Sequence, residues 1–118
     1  MKSFKLLTII LFLLIPLSVF SQTVSATFFN LPQQKVYLNA YTGFYYEIID
    51  SVMMSQDKRV EFNTPMKKGM YALETEYGNN VEFLYDDAPI KIVVRDIYED
   101  NTIGFIDSQV NNDWRQYQ

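Results

Sequence analysis

Residues 35–41 have the sequence Lys-Val-Tyr-Leu-Asn-Ala-Tyr, and Thr42-Gly43 follows directly. Alternation of apolar and polar side chains with a period of two is typical of a strand that buries one face. The side chains expected to face the core are those of Val36, Leu38 and Ala40. Glycine tolerates a positive φ, so the segment predicts a half-buried β-strand that ends in a turn.

The same pattern recurs from residue 23 to residue 107. We predict about eight strands, near 23–29, 35–41, 44–54, 58–63, 69–76, 80–85, 89–95 and 102–107. Residues that favour turns lie between them, as in Asn30-Leu31-Pro32, Gly78-Asn79-Asn80 and Asp86-Asp87-Ala88-Pro89. Short strands with turns at roughly 8 to 12-residue intervals indicate a sandwich or barrel. We therefore predict an all-β fold, an antiparallel β-sandwich that occupies residues 22–108 as one domain.

The N-terminus has the layout of a secretory signal peptide. Lys2 and Lys5 place positive charge before the apolar run 6–19, which small residues follow. The run contains Pro16 and is shorter than the roughly 20 apolar residues that a spanning helix needs. We predict that residues 1–21 are removed on export, and that the mature protein lies in the periplasm or cell envelope and has no membrane segment.

The sequence period changes at the C-terminus. Ser108 is suited to cap a helix, because its hydroxyl can accept from backbone N–H groups of the first turn. Val110, Trp114 and Tyr117 then fall at i, i+4 and i+7 and form one apolar helical face. We predict that residues 109–118 begin a connector helix and that the chain is truncated within it.

Charge and residue usage exclude several classes of function. Loss of Lys2 and Lys5 changes the formal charge from −4 to −6, which disfavours nucleic acid as a partner. The chain has no Cys and no His. It therefore has no disulfide, no thiolate nucleophile and no imidazole base, and Ser51 and Ser108 lack the partner of a catalytic triad.

Two groups of acidic residues are candidates for metal binding or acid–base catalysis. They are Asp96, Glu99, Asp100 and Asn101 in one loop, and Asp86 with Asp87 in another. The regular spacing of a calcium loop and its central Gly are missing, so solvated turns are the preferred interpretation. No pair stands out for glycoside hydrolysis. We assign no catalytic, cofactor-binding or metal-ligating residue and expect no cofactor.

Aromatic side chains cluster around the turn at Thr42-Gly43. They are Tyr37 and Tyr41 before it, and Phe44, Tyr45 and Tyr46 after it. Exposed aromatic side chains on a sheet can stack on sugar rings or seat a partner protein. The preferred alternative is cross-strand aromatic pairing that stiffens the sheet.

Several short phrases resemble one known family. They are Val36-Tyr37-Leu38, Ile49-Asp50-Ser51, Gly69-Met70-Tyr71, and Asp107-Ser108 with Asn111, Asn112 and Tyr117. Together they resemble the domain of unknown function at the N-terminus of exported thioredoxin-like, peroxiredoxin-related thiol-disulfide oxidoreductases of Gram-negative bacteria. This family often has a Gly before the Phe of the fourth strand, where this chain has Lys58-Arg59-Val60-Glu61.

The resemblance implies a β-sandwich in the cell envelope, followed by a helical connector to a thioredoxin fold. We therefore expect a non-catalytic accessory domain that positions a redox partner or helps to select its substrate. The alternative is a stand-alone envelope module that binds a carbohydrate or a protein through its tyrosines. An accessory domain should leave Trp114 and Tyr117 partly exposed, whereas a stand-alone module should bury them against its own sandwich.

Overall fold

The computed structural model describes residues 23–116, and each predicted strand is present in it. The strands are β1 (Val24–Phe28), β2 (Lys35–Tyr41), β3 (Tyr46–Met53), β4 (Arg59–Phe62), β5 (Gly69–Thr75), β6 (Asn80–Tyr85), β7 (Ile90–Val94) and β8 (Ile103–Ile106). A short 3-10 turn, Asp100–Thr102, precedes β8, and helix α1 (Gln109–Gln116) follows it. The predicted signal peptide and Tyr117 lie outside the described residues.

The strands form two four-stranded sheets. The first sheet has the order β4-β1-β7-β8 and the second has the order β3-β2-β5-β6. All pairs are antiparallel except β1 with β7, which run parallel with Val24 opposite Ile90. The prediction of an entirely antiparallel sandwich is therefore wrong for this pair, and the first sheet is mixed.

The core lies between the two sheets and consists of the apolar members of the alternating strands. Its largest fully buried side chains include Phe28, Phe62, Phe83, Leu38 and Leu73. The predicted inward residues Val36 and Leu38 are completely buried, whereas Ala40 is only partly buried. The chain has no cysteine, so burial of aromatic and aliphatic surface holds the two sheets together.

Several turns use left-handed backbone. Gly43, in the β2–β3 turn, has a φ of 105°, which only glycine adopts without strain. Lys58, just before β4, has a φ of 66°. The resembled family has a Gly near this point. Here the Lys58 Nζ donates a 2.6 Å hydrogen bond to the Leu31 carbonyl, which helps to hold the residue in this conformation.

The two edges of each sheet differ in what packs against them. Helix α1 packs on β6 and β8, the last strands of the two sheets on one side of the sandwich. On the other side β3 and β4 are the outer strands, and no helix of the described part of the chain packs there. Within residues 23–116, no helix is long and apolar enough to cross a membrane.

Candidate functional site

Two neighbouring asparagines fasten α1 to both sheets. The Asn111 amide accepts from the Leu84 N–H at 2.6 Å and donates to the Leu84 carbonyl at 2.8 Å. The Asn112 amide makes the same pair of bonds with Phe105, at 3.1 and 2.8 Å. Leu84 lies on β6 and Phe105 on β8. We call this arrangement the asparagine clamp.

The clamp satisfies the outward backbone groups of two edge strands. An edge strand presents unpaired N–H and C=O groups at every second residue, and a carboxamide offers one donor and one acceptor in a matching arrangement. Asn111 is completely buried, and its Nδ2 also donates to the Ser108 hydroxyl at 2.8 Å. A buried amide with all these bonds holds the helix in one orientation, because any rotation of α1 would leave polar groups unpaired.

The predicted apolar face of α1 is not its buried face. Val110 is exposed and Trp114 is only partly buried, while Asn111 is the residue with no exposed surface. The Ser108 hydroxyl accepts from the Asn111 side chain instead of the backbone N–H that the cap prediction required. Helix α1 meets the sandwich at two strand edges, where backbone polar groups need partners, so amides pack there in place of apolar side chains.

Arg115 ties the following turn of α1 to the loop before β8. Its guanidinium donates to the Asp100 carbonyl at 3.1 Å and lies 3.5 Å from the Asp100 carboxylate. The Arg115 side chain is 13% exposed, whereas the Asp100 side chain is 92% exposed. The charge contact is screened by solvent, so its main effect is to restrain the helix direction.

A second candidate lies on the outer face of the β3-β2-β5-β6 sheet. Residues that are directly paired across strands share a face, and the register pairs Asn39 with Ile48 and with Ala72, and Ala72 with Glu82. Tyr41 pairs with Tyr46 in the next row. We call this surface the tyrosine face, and its members are Tyr37, Asn39, Tyr41, Tyr46, Ile48, Ala72, Glu74 and Glu82.

The tyrosine rings pair across strands. The Tyr41 and Tyr46 ring centroids lie 5.2 Å apart, and their planes are tilted by 48°. The predicted cross-strand aromatic pairing is therefore confirmed at this position. Tyr41 is nevertheless 47% exposed, and the Tyr41 hydroxyl donates to the Gly43 carbonyl at 3.0 Å. At the tip of the same hairpin Phe44 is 94% exposed and Tyr45 is 63% exposed.

Tyr46 reaches across the sheet. Burial of the ring and the adjacent Glu82 carboxylate together raise the pKa of Tyr46 to about 12. Tyr46 is on β3 and Glu82 is on β6, the two outermost strands, so the two side chains extend toward each other over β2 and β5. Asn39 and Ala72, on the strands between them, are buried although they lie on the outer face.

Asn39 is a buried amide that is only half satisfied. Its Nδ2 donates to a Glu74 carboxylate oxygen at 3.3 Å, and its Oδ1 has no partner among the described residues. The residue is 6% exposed. An unpaired buried acceptor costs about 1–3 kcal/mol, so this position is destabilised relative to a fully bonded or apolar one. Glu74, which accepts the hydrogen bond from Asn39, and Glu82, two strands away on β6, are both partly buried.

The acidic loops have structural contacts. Asp96 accepts from the Asn30 amide at 2.8 Å and from the Tyr98 backbone N–H at 3.0 Å. Asp87 lies 3.6 Å from the Lys68 ammonium. In residues 23–116, no three acidic side chains come together in a group that could hold a metal ion. The Glu99 and Asn101 side chains are exposed.

A shallow groove of about 440 Å³ lies on the open side of the sandwich, between β3 and β4. It is lined by Val52, Met53, Ser55, Asp57, Arg59 and Glu61. The Ser55 hydroxyl donates to the Asp57 carboxylate and lowers the pKa of that carboxyl. Ser51 is exposed and lies on the outer face of β3, opposite Tyr37.

The sequence pattern indicated the tyrosines but not the polar residues that share their face. Asn39, Glu74 and Glu82 occupy outward positions of three different strands. Alternation of apolar and polar residues does not distinguish a binding residue from any other outward-facing polar residue. Their proximity depends on strand order and register, which the sequence pattern leaves open. The Asn111-Asn112 pair was noted in the sequence for its resemblance to the family, without the contacts that it makes here. No protein-family model, curated protein or solved structure matched this chain.

Proposed function

We propose that this chain is a non-catalytic accessory β-sandwich of an exported thiol-disulfide oxidoreductase, and that it positions a thioredoxin-like neighbour. The asparagine clamp is the observation that supports this role. It joins α1 to the edges of both sheets, so the helix takes a fixed direction relative to the whole sandwich. A domain joined to or docked on α1 would inherit that direction.

The polar character of the clamp supports positioning more than simple stabilisation. An apolar helix face would bury more hydrophobic surface but would tolerate small rotations, whereas amide pairs demand one geometry. Trp114 retains partial exposure beside the clamp and would offer a neighbour an aromatic contact. Export through the N-terminal signal fits the compartment in which such oxidoreductases act.

The first experiment recovers the natural protein from the cell envelope and measures its intact mass. We expect a mass above that of residues 22–118 together with a peptide that contains Cys-x-x-Cys, or tight co-purification of a thioredoxin-like protein. A mass that matches residues 22–118, with no such companion, would overturn the proposal.

A second experiment separates positioning from chemistry. In the natural oxidoreductase, Asn112→Ala should loosen α1 without touching the redox cysteines. We expect slower reduction of a protein disulfide such as insulin, and an unchanged rate with the small disulfide DTNB. Equal losses with both substrates would argue against a positioning role, and Asp113→Ala on the exposed side of α1 is the matched control.

A second candidate function is a binding module that uses the tyrosine face. The specific observation in its favour is the combination of exposed ring surface at Tyr41 with an unsatisfied amide oxygen at Asn39. Sheet faces that only stabilise the fold gain nothing from a buried acceptor without a donor. The two functions use different surfaces, since the clamp lies at β6 and β8 and the ring pair at β2 and β3.

A further inference from the structure

The polar atoms available on the tyrosine face are mainly acceptors. Glu74 and Glu82 carry carboxylates that are partly buried, and among residues 23–116 neither lies within ion-pair distance of a Lys or Arg. Asn39 on β2 is nine-tenths buried, donates to Glu74, and has an Oδ1 without a donor among the described residues. Lys35, at the end of β2, is the one basic side chain among the described strand residues on this face. Apart from Lys35, the described strand residues of this face therefore carry no positive charge.

The aromatic rings of this face also favour a positively charged ligand. The face of a tyrosine ring is electron-rich and attracts cations at short range. Tyr41 is half-exposed, and Tyr46 lies 5.2 Å from it at a 48° tilt. Two tilted rings in contact do not form the flat platform on which a sugar ring stacks, whereas the exposed side of Tyr41 can contact a compact cation.

We propose that the tyrosine face binds an arginine- or lysine-bearing segment of a protein partner. The cationic group sits against the exposed side of the Tyr41–Tyr46 pair and donates hydrogen bonds to the carboxylates of Glu74 and Glu82. This inference rests on the second proposed function, that the face is a binding site, and it adds the chemistry of the partner. Anionic ligands are repelled by the two carboxylates.

The test is an NMR titration of the isotope-labelled exported protein with the peptide acetyl-Arg-Gly-Arg-amide. The control peptide has citrulline in place of both arginines, which keeps the shape and removes the charge. We expect the arginine peptide to shift the backbone amides of Asn39, Ala72 and Glu82, and the citrulline peptide to leave them unchanged. Shifts of equal size with both peptides would overturn the proposal.

Matched variants test the site itself. Glu82→Gln and Glu74→Gln should each weaken binding by about threefold or more, because each removes a partly buried carboxylate. Glu99→Gln changes the net charge equally at an exposed site elsewhere and should have little effect. Tyr41→Leu should weaken binding, whereas Tyr77→Leu, at another exposed tyrosine, should not. If Glu99→Gln weakened binding as much as Glu82→Gln, the attraction would be general and the proposed site wrong.

A third probe, maltohexaose, separates failure of the cationic partner from failure of the binding face. If maltohexaose shifts the amides of the tyrosine face and the arginine peptide does not, the face is a binding site but the cationic partner is wrong. If neither the arginine peptide nor maltohexaose shifts those amides, the binding face and the cationic partner are both overturned.

Discussion

Asn111 and Asn112 are adjacent and chemically identical, yet they bind different sheets. One helical step of about 100° separates their directions, and this turn carries one amide toward β6 and the other toward β8. A single pair of residues can therefore close a gap between two sheets whose edges lie on either side of a helix. Neither glutamine nor aspartate would replace them, since the first is longer and the second lacks the N–H donors.

Substitution of Glu82 should change the titration of the Tyr46 phenol. Glu82→Gln should lower the pKa of Tyr46 from about 12 toward the ordinary value of 10.0, because burial remains but the neighbouring negative charge is gone. Ultraviolet absorbance of phenolate, followed against pH, measures the change. Glu99→Gln should leave the pKa of Tyr46 at its wild-type value. An unchanged Tyr46 titration in Glu82→Gln would show that the two side chains do not interact.

The raised pKa also makes stability depend on pH. The folded protein keeps the Tyr46 proton to higher pH than the unfolded chain does, so the contribution to stability is fully present below pH 10. It is lost as the pH rises from 10 to about 12. We expect the urea midpoint to fall less steeply above pH 10 in Tyr46→Phe than in the wild type. Identical slopes would contradict this linkage.

The asparagine clamp predicts a separate effect of each asparagine on hydrogen exchange in the strand that it binds. Asn111→Ala should speed exchange of the Leu84 amide, and Asn112→Ala should speed exchange of the Phe105 amide, because each loses its own acceptor. The other strand should respond less in each case. Asn111→Ala should also lower the free energy of unfolding by about 2–4 kcal/mol, since it leaves buried polar groups unpaired. Exchange that rises equally at both amides would mean that the helix detaches as a unit.

The β2–β3 hairpin depends on the backbone of its turn. Gly43→Ala should destabilise the protein by about 1 kcal/mol, because the φ of 105° is unfavourable for any residue with a Cβ. Gly104→Ala is the control, since Gly104 lies in β8 without a positive φ and an added Cβ meets open space at both sites. Urea denaturation of both variants measures the difference. Equal effects would place the cost in strand packing instead of turn geometry.

The elements differ in how far the sequence predicts them. Every strand boundary lies within two residues of its expected position, because alternation is a local property that burial of one face enforces. The sequence predicted that Val110 and Trp114 share an apolar face of α1, but not which residues contact the sandwich. Apolar residues spaced at i and i+4 usually mark a buried helix face, but α1 meets strand edges, and there Asn111 is buried while Val110 is exposed.

In the sandwich of residues 23–116, α1 packs on one side, and no helix covers the open side at β3 and β4. The outer strands of the open side carry features that discourage pairing with another chain, including a register break in β3 and the Arg59–Glu61 ion pair on β4. Asp50 on β3 is paired with Leu38, whose side chain is fully buried, and its carboxylate accepts from the Thr64 hydroxyl at 2.6 Å. An inward carboxylate at a sheet edge has the same discouraging effect.

This arrangement predicts the outcome of removing that charge. Asp50→Val keeps strand propensity but takes away the inward carboxylate, so light scattering should show more self-association at equal concentration. Glu99→Gln, which changes the net charge by the same amount in an exposed loop, should behave like the wild type. If the Glu99→Gln variant associates as much as Asp50→Val, net charge would be the cause and not the strand edge.

The order of the strands within each sheet could not be predicted from the sequence. Alternation of apolar and polar residues predicts which side chains face inward. It does not predict which strands are neighbours in a sheet. The turn residues favour neighbours in sequence, and this expectation holds for β2 with β3 and for β5 with β6. The tyrosine face depends on β2 and β5 being adjacent, so its polar members were not found from the sequence.

The parallel pairing of β1 with β7 has a consequence for the order of folding. Val24 must meet Ile90, which is 66 residues away, before the central pair of the first sheet exists. Closing so long a loop is slow compared with forming the hairpins, and proteins dominated by such distant pairs fold in milliseconds to seconds. During synthesis the first strand of the sandwich emerges long before its partner. The first sheet therefore stays incomplete until β7 and then β8 (Ile103–Ile106) have been made, so β1 and β4 must wait for most of the sandwich to be synthesised before their sheet can close.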